Sequence, residues 1–464
     1  MTPARKSVQT RRRGAALITS MIFVLIFSAL AIGMVTLSGT NLQMAENQHK
    51  ADCARACAES GLEIVRFWLN SVSIPGTTAL SQRFATIAGS LQSNLTAGGI
   101  TNITTSYASP TITIPSVTLD SAEGKSFSAK ITKLDADSLR LDVTGAYGAV
   151  SRTIRVNYEL GERAQTVFDY GVATRGPLSL AGNIQLDGVN IAVESDVYIE
   201  SLDSNLALSI IGNSQIAGDV KIVNPVASVD LQGGQAGIGG ETGQQAIDNH
   251  VDFGAMQTEF PEPNPSYFES YATNVVDSTT DTSADATFEN IRIAAGTNPT
   301  FSGHVTLKGV VFIETPNIVT FTGTADVTGI IVGDGDIEDN SGTNQINFIG
   351  NVGSIPVSEL PDEQQFAGLH GETGTFVVAP GFSTSFGGSF ETLSGAIAAN
   401  GIQFYGNAGG TINGSVINYS DQDMTLTGNS DLNFNRSGTT KVPAGFIPEI
   451  VLNYDASSYS EIMQ

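Results

Sequence analysis

His49, Cys53 and Cys57 stand four residues apart in turn, a spacing that lays an imidazole and two sulfurs along one face of a helix, where a soft metal ion would meet three donors. A closed structural site takes four ligands. The chain has no further cysteine, and its other histidines, His250, His304 and His370, lie far off in sequence. The triplet therefore reads as small residues at a helix contact. Side chains four apart on a helix hold their Cβ atoms about 5–6 Å from each other, too far for a Cys53–Cys57 disulfide.

The run Asp334-Gly335-Asp336-Ile337-Glu338-Asp339-Asn340 crowds four carboxylates into seven residues and opens like a calcium loop, with Asp334, Asp336 and Glu338 as candidate ligands. Asp339 takes the sixth position, which that loop reserves for glycine, and Gln345 stands where a bidentate glutamate belongs. A solvated acidic turn is the expectation. Asp219 with Lys221, and Glu314, are acidic candidates for glycan cleavage, but a chain this acidic produces such groups by chance. G-x-S-x-G, a phosphate-cradling loop and a zinc signature are all missing from the sequence. No catalytic residue, no metal and no cofactor is implied, and the chain is not read as an enzyme.

The element that positions the first triplet is the most informative in the chain. Ala15 to Leu37 runs 23 residues without a charge, and no acidic residue precedes Glu46. As a helix this stretch spans about 35 Å, enough for a hydrocarbon core of about 30 Å. Arg5, Lys6, Arg11, Arg12 and Arg13 precede it, and a basic flank stays in the cytoplasm, so everything beyond is exported. The apolar positions Ala51, Ala54, Ala58, Leu62, Val65 and Leu69 then draw one stripe, with Glu46, Lys50, Arg55, Glu59, Glu63 and Arg66 opposite. Asn70-Ser71 and Pro75-Gly76 supply the stop. One rod from about 15 to 70 is expected, lipid-facing first and amphipathic after.

The net charge of −24 becomes −29 once the five basic leader residues are removed. Such a surface repels phosphate backbones, so nucleic acid is excluded as a partner. Fifty glycines against one tryptophan point to many tight turns between short strands.

The basic leader ending Arg13-Gly14, then Ala15-Ala16-Leu17-Ile18, then the long apolar helix and Ala58-Glu59-Ser60-Gly61-Leu62-Glu63, resembles the N-terminus of type IV pilin-like proteins of the PilX-type minor pilin group. The resemblance covers about the first 70 residues. It implies cleavage after Gly14 by a prepilin peptidase, Ala15 as the new N-terminus, and burial of Leu17, Ile22, Phe23, Leu25, Phe27 and Leu30 in the inner membrane or among other pilin-like subunits. Ala51, Ala54, Ala58, Leu62, Val65 and Leu69 would pack beneath a head. Major pilins carry a glutamate five residues after the cut; this chain has Thr19, which favours a minor or tip role. An ordinary signal peptide, cut after Ala29-Leu30-Ala31, and an uncleaved anchor are the alternatives. Apolar residues continuing through Ile32, Met34, Val35 and Leu37 oppose the signal peptide.

Residues Thr101 to Tyr158 alternate apolar and polar side chains, as in Leu139-Arg140-Leu141-Asp142-Val143 and Thr153-Ile154-Arg155-Val156-Asn157-Tyr158, and residues 71–165 read as a small α+β head whose antiparallel sheet packs on the helix stripe. Thr144-Gly145-Ala146-Tyr147-Gly148 reads as their turn. From 166 to 445 a phrase recurs, in Gly182-Asn183, Gly212-Asn213, Gly406-Asn407 and Gly428-Asn429, each followed by alternating residues. Glycine and asparagine accept positive φ, so the phrase makes corners in a coiled strand path. A parallel β-helix-like domain is expected, with a β-sandwich as alternative. Residues 232–286, holding Phe260-Pro261-Glu262-Pro263-Asn264-Pro265 with Tyr267, Phe268 and Tyr271, and residues 354–368, read as surface insertions; 446–464 reads as a tail. The fold class is thus α+β with a large all-β part.

The functional reading is a single-pass, membrane-anchored pilin-like subunit of a type IV pilus or secretion pseudopilus, with its acidic β domain outside for adhesion or assembly. The alternative is a surface protein that binds or degrades polysaccharide.

Overall fold

The computed structural model describes residues 13–202, 205–339, 342–437 and 441–462, so the basic leader before Arg13 and Asn340 of the acidic run lie outside the described residues. The chain divides into two compact units, one of Met1–Ile74, Thr78–Gly161 and Val451–Gln464, the other of Pro75–Thr77 and Glu162–Ile450.

In the first unit, helix α1 runs unbroken over Arg13–Asn70, 58 residues or roughly 87 Å. Strand β1 (Ser73–Pro75) follows, then helix α2 (Arg83–Ala97), then β2 (Ser106–Ala108), β3 (Thr111–Asp120), β4 (Lys125–Lys133), β5 (Ser138–Tyr147) and β6 (Val150–Arg163). The β2 to β6 neighbours pair antiparallel in sequence order. One face of the sheet is apolar by simple alternation: Phe127, Ala129, Ile131, then Leu141 and Val143, then Ile154 and Val156 are buried. Helix α2 lies outside the alternating stretch, and its Phe84, Ile87, Ala88, Leu91 and Leu95, all buried, repeat at helical spacing. The expected tail is instead a 14-residue strand, Glu449–Ile462, which enters this sheet between β1 and β6. Its alternation of Ile450, Leu452 and Tyr454 is a strand signal.

The second unit is a coil of three parallel sheets. In the largest, Val172–Thr174 pairs in parallel with Val197–Ile199 on one side and with Val416–Asn418 on the other. The parallel ladders leave no room for an antiparallel sandwich. The winding is not sequential: the chain adds rungs from Val172 out to Val251–Phe253, passes along 254–273 to Asn274–Val276 at the opposite end, and winds back until Val416–Asn418 meets the first rung. The stretch 232–286 is therefore not a plain insertion, since Gly237–Ile238 and Val251–Phe253 continue the ladders.

The corners follow the recurring phrase. Gly182, Gly212, Gly406 and Gly428 all take positive φ, and the amide N–H groups of Asn183, Asn213 and Asn429 donate to glycine carbonyls of neighbouring rungs at 2.8–2.9 Å. Inside, Phe301, Phe321, Phe348, Phe386 and Phe404 stack rung on rung with centroids 4.9–5.0 Å apart. Outside, the largest sheet is covered. Thr375–Ala379 and Ala396–Ala399 are buried at every residue, the pattern of strands packed on both faces. The cover comes from the two supposed insertions: Phe268 and Ala272 from one, and Val357, Leu360, Phe366 and Leu369 from the region of the other, join this outer core.

Candidate functional site

Helix α1 has two different halves. Leu17, Ile22, Phe23, Leu25, Phe27 and Leu30 are each 50–69% exposed, while Ala54, Ala58, Leu62, Val65 and Leu69 are at most 4% exposed. Ala51, at the boundary, is partly buried. Gly14 and Ala15 fall in the first turn. The buried stripe is held by close approach: a Cβ on Gly61 would enter the Phe127 ring, and one on Gly145 would overlap the α1 backbone. Gly145 therefore lies in a strand under the helix and not in the turn, which falls at Gly148, φ +59°.

Several hydroxyls of the apolar half are satisfied within the helix. Ser20 donates to the Leu17 carbonyl, Thr36 to Ile32 and Thr40 to Thr36, each at 2.9 Å, so these three need no water. Each exposed leucine, isoleucine or phenylalanine gains about 1.5–3 kcal/mol on leaving water. The helix is long and apolar enough to cross a membrane. Lipid or a sheath of like helices is what such a surface can pack against.

The other candidates are not assembled into sites. His49 Nε2 lies 3.7 Å from Cys53 Sγ, while Cys57 is buried and its thiol is pushed up by that burial. Asp334 accepts the Thr315 amide N–H of the neighbouring rung at 2.7 Å and Asp336 caps its own turn by accepting that of Glu338 at 3.0 Å, so these carboxylates are engaged by backbone. Among the described residues, no group of three or more His, Cys, Asp and Glu side chains is placed to hold a metal ion. Asp219 pairs with His250 at 2.7 Å, and Glu314 with Arg292 at 3.2 Å; six strands separate the two carboxylates, roughly 34 Å at about 4.8 Å per strand. Tyr267 and Tyr271 hydrogen-bond Glu372 and the Gly368 carbonyl, and Phe268 is fully buried, so this aromatic group fastens the cover.

Residues 13–63 match the PilX N-terminal family model. The chain carries a PilX-type N-terminal segment. The matched stretch spans both the exposed apolar half and the start of the buried stripe of α1. No curated protein matches the chain. Among solved structures, the competence-associated pilin ComZ from Thermus thermophilus is similar at 11% identity over 90% of this chain and 98% of that chain, with a TM-score of 0.28. An ice-binding protein from the Antarctic ascomycete Antarctomyces psychrotrophicus is similar at 13% identity over 58% of this chain and 95% of that chain, with a TM-score of 0.15. Scores this low carry no argument about fold or role.

Proposed function

We propose that the chain is a minor or tip subunit of a type IV pilus or a related secretion pseudopilus. The first half of α1 sits in the cytoplasmic membrane with its basic flank inside. A prepilin peptidase cuts after Gly14, and the freed helix moves from lipid into a bundle with other pilin-like subunits. The exported head and acidic coil are then displayed outside. The role is structural and not catalytic.

The observation that carries this reading is the division of α1 within the PilX-type segment. Ala54, Ala58 and Leu62 are already buried within their own subunit, while Leu17, Ile22, Phe23, Leu25, Phe27 and Leu30 stay exposed there. An apolar helix face needs a partner outside the chain. N-terminal mass analysis of material from cells tests it. A chain beginning at Ala15, and retention of the leader in Gly14→Trp, are expected. A mature end near Ile32 in both forms would overturn the reading.

A further inference from the structure

We propose that a trough along the segment Gln257–Glu269 of the second unit binds a glycan chain free of acidic groups. Its largest part is a cavity of about 1020 Å³ where Arg175, Glu200, Ser201, Glu259, Phe260 and Asp423 come together at the ends of strands of the covered sheet. A second cavity of about 370 Å³ shares Arg175 and Phe260, and a third of about 280 Å³ shares Pro265 and Gly335 with the second. The trough thus passes from the Val197–Ile199 strand to the Val305–Ile313 strand, six strand steps, or roughly 29 Å at about 4.8 Å each. That length suits an extended polymer more than a metabolite.

The wall is preformed. The Thr258 amide N–H donates to Tyr198 Oη at 2.9 Å, Gln257 donates to Glu200, and Tyr419 Oη donates to the Pro261 carbonyl at 2.6 Å. Arg175 lies with its guanidinium 5.2 Å from the Phe260 ring centroid and 5.7 Å from that of Tyr419. Stacking fixes the plane of its donors, and among the described residues no carboxylate pairs with it. Ser201 is 2% exposed at this wall, takes φ +39°, and its hydroxyl finds no hydrogen-bond partner among the described residues. A buried, unpartnered hydroxyl held by a strained backbone is a group kept ready for a ligand.

The class of ligand follows from charge and from hydrogen-bonding sense. Glu200, Glu259, Asp421 and Asp423 line the first cavity against Arg175, which excludes uronic-acid polymers, phosphates and nucleic acid. Sugar hydroxyls both donate and accept, so they can serve the carboxylates and the guanidinium together. A basic peptide could serve the carboxylates, but its cationic side chains offer no acceptor to the Arg175 guanidinium. A lipid or an apolar helix would leave all of these groups unpaired. The trough's chemistry is independent of whether α1 enters a filament.

The test is calorimetric titration of the full chain in a polyoxyethylene detergent, which carries no sugar, against neutral hexasaccharides of β-1,4-glucose, β-1,4-N-acetylglucosamine, mannose and galactose. Oligogalacturonate and hexalysine are the comparisons. Saturable binding of at least one neutral hexamer is expected, with oligogalacturonate silent. Glu259→Gln and Asp423→Asn, both at exposed positions, are expected to keep the melting temperature and each weaken binding about tenfold. Binding of none of the neutral hexamers, binding of hexalysine in their place, or full affinity in both variants would overturn the proposal.

Discussion

Gly145 lies so close to Ala58 that a side-chain carbon on the glycine would overlap the Ala58 backbone nitrogen and the Ala54 carbonyl oxygen above it. The α1 stripe can reach the head sheet only because residue 145 has no Cβ. Gly145→Ala forces the helix off its bed, opening Leu141 and Val143 beneath it. A loss of about 2–3 kcal/mol is expected, the upper range for overpacking, read as a lowered urea midpoint of the head. Gly89→Ala, where nothing lies within 4 Å, should lose far less, and a glycine helix interior replaced by alanine can gain about 0.5–1 kcal/mol.

The corner column of the coil is equally narrow. Gly182, at φ +128°, has its open side against the Gly428 carbonyl, and Gly212 in turn lies against that of Gly182. Gly182→Ala combines a disallowed backbone angle with a clash against the next rung. Destabilisation of about 1–3 kcal/mol follows, seen as a fall in the thermal midpoint of the coil. Gly234→Ala, one residue past the same column and with open space around it, should leave that midpoint nearly unchanged.

Phe348 is fully buried, stacked on Phe321 with planes 8° apart and on Phe386 with planes 12° apart. Truncation removes both stacked ring contacts and the tilted one to Phe376, and leaves a void that flat, hydrogen-bonded rungs cannot collapse into. Phe348→Ala should destabilise the coil by about 3–5 kcal/mol, measured by denaturant unfolding. Phe348→Leu, which fills part of the gap, should lose clearly less.

How much of this was legible in the residues depends on whether the signal was local. The α1 rod was legible because a charge-free run and a 3–4 stripe are properties of consecutive residues, and the Gly-Asn corners because positive φ is a demand on single residues. The order of the rungs was not. Val172 pairs with Val416 and Val197 alike, and no short window distinguishes a neighbour 244 residues away from one 25 away. Phe260 to Tyr271 read as a loop because of Pro261, Pro263 and Pro265, yet Phe376-Val377-Val378-Ala379 was a run without polar relief, and such a strand calls for cover on both faces. Ser201, whose buried hydroxyl finds no partner among the described residues, carried no mark in the sequence at all, since Arg175 of the neighbouring rung and Phe260 of the covering segment meet it only in the folded coil.

Asp196 ties this coil to pH. Burial first, then the neighbouring Asp219 charge, raise its carboxyl above the ordinary value of 3.8, while its Oδ1 accepts the Asp219 amide N–H at 2.9 Å. A carboxyl whose folded value is raised contributes stability below its unfolded value and loses that contribution as pH rises through the folded one. At pH 7 the folded state therefore carries an unfavourable, partly buried charge. Asp196→Asn keeps an acceptor and removes the charge, so its melting temperature should exceed that of the parent at pH 7 and converge with it toward pH 3. A variant less stable than the parent at pH 7 would refute this account.

Thr19 bears on assembly. Ala15 and Thr19 are four apart on α1, hence on one face of the helix, and the new N-terminus proposed at Ala15 would bring a positive charge into an apolar bundle. A buried charge without a partner is strongly unfavourable, and a carboxylate at residue 19 would supply one, within the subunit or from its neighbour. Thr19 supplies none, which under the proposed function would limit the chain to positions where the bundle is incomplete, such as a tip. Thr19→Glu should then raise the share of the chain recovered in sheared filaments several-fold over the cell-associated pool, measured by quantitative immunoblot. If that share is unchanged while N-terminal processing stays normal, residue 19 does not govern where the subunit sits.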